Sequence, residues 1–272
     1  MCRMSAFAAT ALSLSMALSA GSALAGKPKA VPVQPQMGTN LDIRRATAEE
    51  RALIVRMEPL ARAAFWSREV QADANDTEAG LALSQALRAM GKNNDAVEAA
   101  QRVLITHPKN VEAMLEVARG HIARSQGFYA IDPARQAQAL APKDWRAPSL
   151  LGVAYEQANR DDEALAAHRL ALSLAPENPA ALSNLAMFLA ARGQAPEAEG
   201  LLRKAASRPG ANMTVRQNLA LVIGLQGRLD EAEKLVREDL PPEVVAVNMA
   251  YLRAATGLAG SGRSWEVMRT GQ

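Results

Sequence analysis

Cysteine is nearly absent. The 272 residues hold one, Cys2, so thiol catalysis, disulfide staples and cysteine-rich metal sites have nothing to be built from. Histidine is scarce too. His107, His121 and His168 stand far apart, and none has a second ligand at the spacing of H-E-x-x-H. No G-x-S-x-G, no phosphate-binding G-x-x-x-x-G-K and no C-x-x-C occurs. Aromatic residues make up 4%, and no Val/Ile/Thr-rich alternation runs long enough to predict a sheet. The formal charge is only +3, from 31 basic and 28 acidic side chains, and the arginines are scattered. A nucleic-acid surface needs a dense basic face, so that class is excluded. Gly257, Gly260 and Gly262 follow no strand, which removes a nucleotide loop. The sequence therefore predicts no enzyme, no cofactor, no metal and no small-molecule substrate.

Residues 1–25 have the layout of a secretory signal. Arg3 is a short basic start, Met4 to Leu18 is uncharged, and Ala23-Leu24-Ala25 is a small-x-small cleavage site. Cleavage there would remove Cys2 and, in a Gram-negative cell, deliver the chain to the periplasm. An uncleaved anchor is the alternative, though the Ser and Ala content makes a poor span. Residues 26–45, with Pro28, Pro32 and Pro35, read as an extended linker.

What the sequence does have is a period. In steps of 34, Ala96, Ala130, Ala164, Ala198 and Ala232 fall in one column, and Leu83, Val117, Leu151, Leu185 and Leu219 in another. The next position is always small: Ser84, Ala118, Gly152, Ala186, Ala220. Pro108, Pro142 and Pro176, then Gly210, make a fourth column. The pattern suits crossing helices, where a small side chain lets the backbones approach and a large one fills the groove beside it. Proline and glycine stop each second helix. Gly91, Gly193 and Gly227 mark the turn inside a unit, replaced by Ser125 and Asn159 in two of them.

Within Trp145–Asn178, Leu151-Gly152, Tyr155, Ala164, Ala171 and Pro176 match the signature of the tetratricopeptide repeat, which this stretch resembles. The resemblance implies an all-α fold, a TPR-type solenoid: a right-handed superhelix of antiparallel helix pairs with capping helices at both ends. The predicted division is a capping pair at 46–76, then five repeats at 77–110, 111–144, 145–178, 179–212 and 213–240. A capping helix at 241–256 and a flexible tail at 257–272 complete it. In the first cap, Leu53, Ile54, Met57 and Leu60 are expected to form one apolar face, and Trp66 to be core. In the last, Val244, Val247, Tyr251 and Leu252 are expected inside. Asp95, Glu197 and Asp230-Glu231 follow the turns and are expected to favour the helix dipole and cap free N–H groups. In the second repeat, Asp132-Pro133 reads as a late helix start that leaves Phe128 and Tyr129 on a bulged turn, either packed locally or touching a partner.

Stacked hairpins offer a concave groove lined by each first helix. In tetratricopeptide proteins an Asn just before the large-small pair binds peptide backbone. Asn184 and Asn218 match it, with Gln217 alongside, whereas Ala82, Glu116 and Leu150 stand there in the first three repeats. The partner-binding candidates are thus Asn184, Asn218, Gln217, Phe128 and Tyr129.

The C-terminal third is more particular. Val215 to Val222, Gln226 to Glu233, Asp239-Leu240-Pro241-Pro242-Glu243 and Asn248 to Leu252 together resemble the TadD family, the tetratricopeptide proteins of tight-adherence (Flp) pilus assembly. The resemblance implies a non-enzymatic scaffold with protein partners, components of a pilus or secretion apparatus, and contact with the outer membrane through them. Many members carry a lipid-attachment cysteine after the apolar stretch; Cys2 stands too early for that. A periplasmic adaptor for cell-envelope enzymes unrelated to pili is the alternative.

Overall fold

The computed structural model describes residues 44–257, in which thirteen α-helices and no strand are found. The signal segment, Cys2, most of the linker and the tail with Trp265 lie outside these residues. Two helices, α1 (Ala48–Ile54) and α2 (Pro59–Ala72), precede a series of hairpins. The hairpins are α3 (Thr77–Ala89) with α4 (Asn93–Thr106), α5 (Val111–Ala123) with α6 (Gly127–Leu140), and α7 (Arg146–Gln157) with α8 (Asp161–Leu174). Then come α9 (Pro179–Ala190) with α10 (Ala195–Ala206) and α11 (Met213–Leu225) with α12 (Leu229–Arg237), closed by α13 (Pro242–Gly257).

The columns explain why these hairpins stack. All five alanines of the first column have 0% exposure. The small column is equally buried, from Ser84 at 0% to Ala220 at 1%. Sixteen residues after each small residue comes its counterpart on the second helix: Ala100, Ala134, His168, Leu202 and Val236, all buried. In the last three repeats size is balanced within the pair. The smallest residue, Gly152, is matched with the column's one ring, His168, and a Cβ on Gly152 would stand 2.4 Å from His168 Cε1. Ala186 and Ala220 are matched with Leu202 and Val236.

The turns have one geometry. Gly91, Ser125, Asn159, Gly193 and Gly227 all have positive φ, from 56° to 86°, the left-handed residue that ends a helix. A fifth column sits at the junctions. Asp76, Asn110, Asn178 and Asn212 each accept from the backbone N–H three residues on, and Asp144 from that of Arg146. These side chains satisfy donors that a helix start leaves free.

Several expectations need correction. The acids after the turns do not cap: the residues preceding α4, α8, α10 and α12 are Lys92, Arg160, Gln194 and Arg228, without side-chain cap bonds. Asp95, Glu197, Asp230 and Glu231 lie within the first turns and act on the helix dipole alone. The second helix of the second repeat does not start late. It begins at Gly127 and carries Pro133 inside. Gly127, Ala130, Ile131, Ala134 and Ala137 are all buried at helical spacing, so packing against the neighbours decides the start. Pro133 leaves the carbonyl of Tyr129 without its helical donor, and Tyr129 is exposed enough for water to replace it. In α13 the buried residues are Val245, Met249, Leu252 and Ala255, while Val247 and Tyr251 face outward. The face is set by Leu252, which packs where a Cβ on Gly224 of α11 would be. In the N-terminal cap Trp66 is core at 4% exposure, but Leu53, Met57 and Leu60 are more than half exposed.

Candidate functional site: the inner face of the first helices

The first helices touch one another in series, α3 with α5, α5 with α7, α7 with α9, and α9 with α11. Each of these also packs on its own second helix, so the first helices form one wall of the stack. That wall divides into two chemistries.

Across the first three repeats it is charged and self-neutralised. Glu116, 1% exposed, accepts from Arg88 at 3.0 Å and from Arg119 at 2.7 Å. Arg119 also reaches Glu112, and Arg146 joins Glu112 at 2.7 Å to Asp144 at 2.7 Å. The Arg146 guanidinium, aided by the backbone N–H of Arg146, holds the Asp144 carboxyl below its usual range despite burial. Glu116 occupies the register of the two asparagines, but it is 1% exposed and each of its oxygens is held by an arginine, so it is closed to a ligand.

From the third repeat to the fifth amides and hydroxyls take over, with Arg216 on α11 neutralised by Asp239. Asn184 on α9 donates through Nδ2 to Ser149 Oγ on α7 at 2.8 Å. Asn218 on α11 repeats the contact with Ser183 Oγ on α9 at 3.1 Å. Both serines are buried at 5%, both asparagines half-buried. Each bond joins residues 35 apart and ties one hairpin to the next. The amide donor of each Asn is thus engaged, while Oδ1 remains an acceptor, suited to a peptide N–H. Gln217 is half-buried beside Asn218. The serines escaped the sequence reading, although Ser149 and Ser183 stand 34 apart and each precedes the Asn register by one residue.

Phe128 and Tyr129 are elsewhere, in the first turn of α6 on a second helix, 71% and 62% exposed. Their rings meet edge to face at 5.6 Å, and Tyr129 lies 5.8 Å from His121. Burial pushes His121 below the usual imidazole range, with Arg124 adding to the effect against a bond donated to Gln126. The structure does not bring this pair to the Asn–Ser ladder. His168 is a packing residue: its Nε2 lies 2.6 Å from Glu156 Oε1 and its ring 5.5 Å from Phe188. His107 follows the end of α4. No group of three or more His, Cys, Asp or Glu able to hold a metal occurs among the described residues.

Family models for the tetratricopeptide repeat match residues 149–180 and 180–208. Among solved structures, a thermophilic TPR protein of Thermus thermophilus superposes with a TM-score of 0.59 at 22% identity, over 65% of this chain and 98% of that one. The fold is that of a tetratricopeptide-repeat solenoid. MamA from Desulfovibrio magneticus, residue 41 to its end, gives 0.50 at 24% identity, over 57% and 88% of the two chains. No curated protein sequence matches the chain. In repeat terms the Asn–Ser ladder links repeats three, four and five of the TPR solenoid, and the ion pairs link repeats one, two and three.

Proposed function

We propose that the TPR solenoid is a non-enzymatic scaffold of the cell envelope that holds an extended segment of a partner protein along repeats three to five. The observation that carries this reading is the ladder: two asparagine acceptors, Asn184 Oδ1 and Asn218 Oδ1, set in register by buried serines. Protein–protein interaction is the use to which such a fold is suited. The finer assignment, assistance in assembling a tight-adherence pilus or related secretion apparatus, rests on the resemblance of the C-terminal third to TadD. The periplasmic location rests on residues 1–25 and their cleavage, with any association with the outer membrane made through partners.

The experiment is a pull-down from envelope extracts with wild type and with Asn184→Ala/Asn218→Ala. Recovery of pilus-system components by wild type, and their loss from the variant with unchanged helicity, is the expected result. Recovery of cell-wall enzymes instead would favour the adaptor reading. Full-strength binding by the variant would remove the ladder from the binding site.

A further inference from the structure

Helix α1 is attached to the solenoid in an unusual way: it contributes no buried residue. Leu53 points out at 67% exposure, as do Val55 and Met57 just beyond the helix at 64% and 53%. Arg51 is the charged side chain turned inward, beside a partly buried Ile54. It meets Glu69 and Asp76 at 2.6 Å each, Glu78 at 2.6 Å, and lies 5.4 Å over the ring of Trp66. Around it, Ala46 N donates to Glu69, and Arg45 pairs with Asp73 and Asp76. A cavity of about 540 Å³, bordered by Arg45, Arg51, Val55, Trp66 and Glu78, remains along α1, so it is not close-packed. Inside the segment the contacts are local: Thr47 and Glu50 form a capping box, and Arg44 pairs with Glu50.

We propose that residues 44–58 form an ionic strap, docked through Arg51 and Arg45 onto the carboxylates of α2 and the α2–α3 turn, which detaches as a unit while the repeats stay folded. Detachment uncovers little apolar surface of α1, because Leu53, Val55 and Met57 are already in water and only Ile54 is partly covered. It bares Trp66 and the carboxylates of Glu69, Asp73 and Asp76, an acidic end to the solenoid that would accept another cationic segment. The coupling is electrostatic. Without Arg51, Glu69 and Asp76 would be buried carboxylates lacking their main counter-charge, and shedding the strap is how they regain water. A freed seven-residue helix does not persist in water, so release is visible as melting of α1.

Hydrogen exchange on the full chain tests this, reading the amides of Arg51 to Ile54 against those of α3 to α12. In wild type the α1 amides should be protected. In Arg51→Met they should exchange about tenfold faster or more, as for local opening, with α3 to α12 unchanged. In Leu53→Ser, which touches only the outward face, α1 should keep its protection. Three results would overturn the strap. One is α1 equally protected in Arg51→Met, or unprotected already in wild type. Another is loss of protection across the repeats together with α1, which would make it part of the folding unit. The third is release by Leu53→Ser, which would make the attachment apolar.

Discussion

Replacing Gly152 with Ala puts the small column under load at its tightest place. The new Cβ would stand 2.4, 2.5 and 2.6 Å from Cε1, Nδ1 and Nε2 of His168, all inside contact distance. The ring has little room to retreat. It is 1% exposed, hydrogen-bonded to Glu156 at 2.6 Å, and packed against Phe188. Overpacking of this kind costs about 1–3 kcal/mol, and losing the Glu156 bond adds about 1 kcal/mol. For a chain of this size each kcal/mol moves the melting temperature by roughly 2–4 °C, so a fall of roughly 5–15 °C is expected by circular dichroism. The companion variant carries the sharper test. Gly152→Ala with His168→Leu recreates the Ala186 and Leu202 pair of the next repeat, and should recover most of the loss. Glu156 is left without its partner but is 21% exposed and can be hydrated. A Gly152→Ala protein that melts with wild type would refute the size matching. So would a double variant no better than the single, because the two sites would then not act on each other.

Other outcomes follow from the same geometry. Ser125 holds a φ of 56° without being glycine, so Ser125→Gly should raise stability by about 1 kcal/mol in urea unfolding, whereas Gly91→Ala, at 73°, should lower it by a similar amount. Ala164→Leu, at a site with 0% exposure, should cost about 1–3 kcal/mol, seen as a lower melting temperature. Burial raises the Asp76 carboxyl, but Arg51, the Ala79 N–H and Arg45 outweigh it and bring it down to about 2. Its folded value lies below its unfolded one, so it stabilises fully above about pH 4, and the contribution, on the order of 2 kcal/mol, is lost as pH falls towards 2. An acid titration of Asp76→Asn should lack that component. His121 is also held below its unfolded value, so the neutral ring is favoured in the fold and stability falls as pH drops through about 6.5. His121→Gln should flatten the pH profile there.

The fold class was legible because it rests on spacing. Ala, Leu and small-residue columns repeat at 34, and such a period has few solutions once the apolar residues must be buried. The junction column of Asp76, Asn110, Asp144, Asn178 and Asn212 was present in the same register and equally readable. Attention to the acids after the turns obscured it, since an acid near a helix start suggests a cap even when its backbone position is already helical. Local rules failed where packing outweighed them. Pro133 signals a helix start, yet Gly127, Ala130 and Ile131, buried ahead of it on α6, need the helix to begin earlier. Leu53 has helical spacing with Met57 and Leu60 but faces water, because ion pairs had taken the inward side of α1. Half of the candidate site could be read: the asparagines stand out in sequence, but the serines that fix their orientation belong to the preceding repeat and were invisible until the hairpins were stacked.

The pairing of a small residue with its counterpart sixteen positions later matches sizes within each of the last three hairpins, and this sets where the chain can be recombined. Excising 145–178 would take Gly152 and His168 out together and leave every remaining match intact. Excising 161–194, a segment of identical length, would instead set Gly152 opposite Leu202, a branched aliphatic side chain in place of a planar ring, and leave Glu156 without the His168 it bonds. Insertions, deletions or transplants of whole units should therefore be tolerated when cut at the Asx junctions and resisted when cut at the left-handed turns.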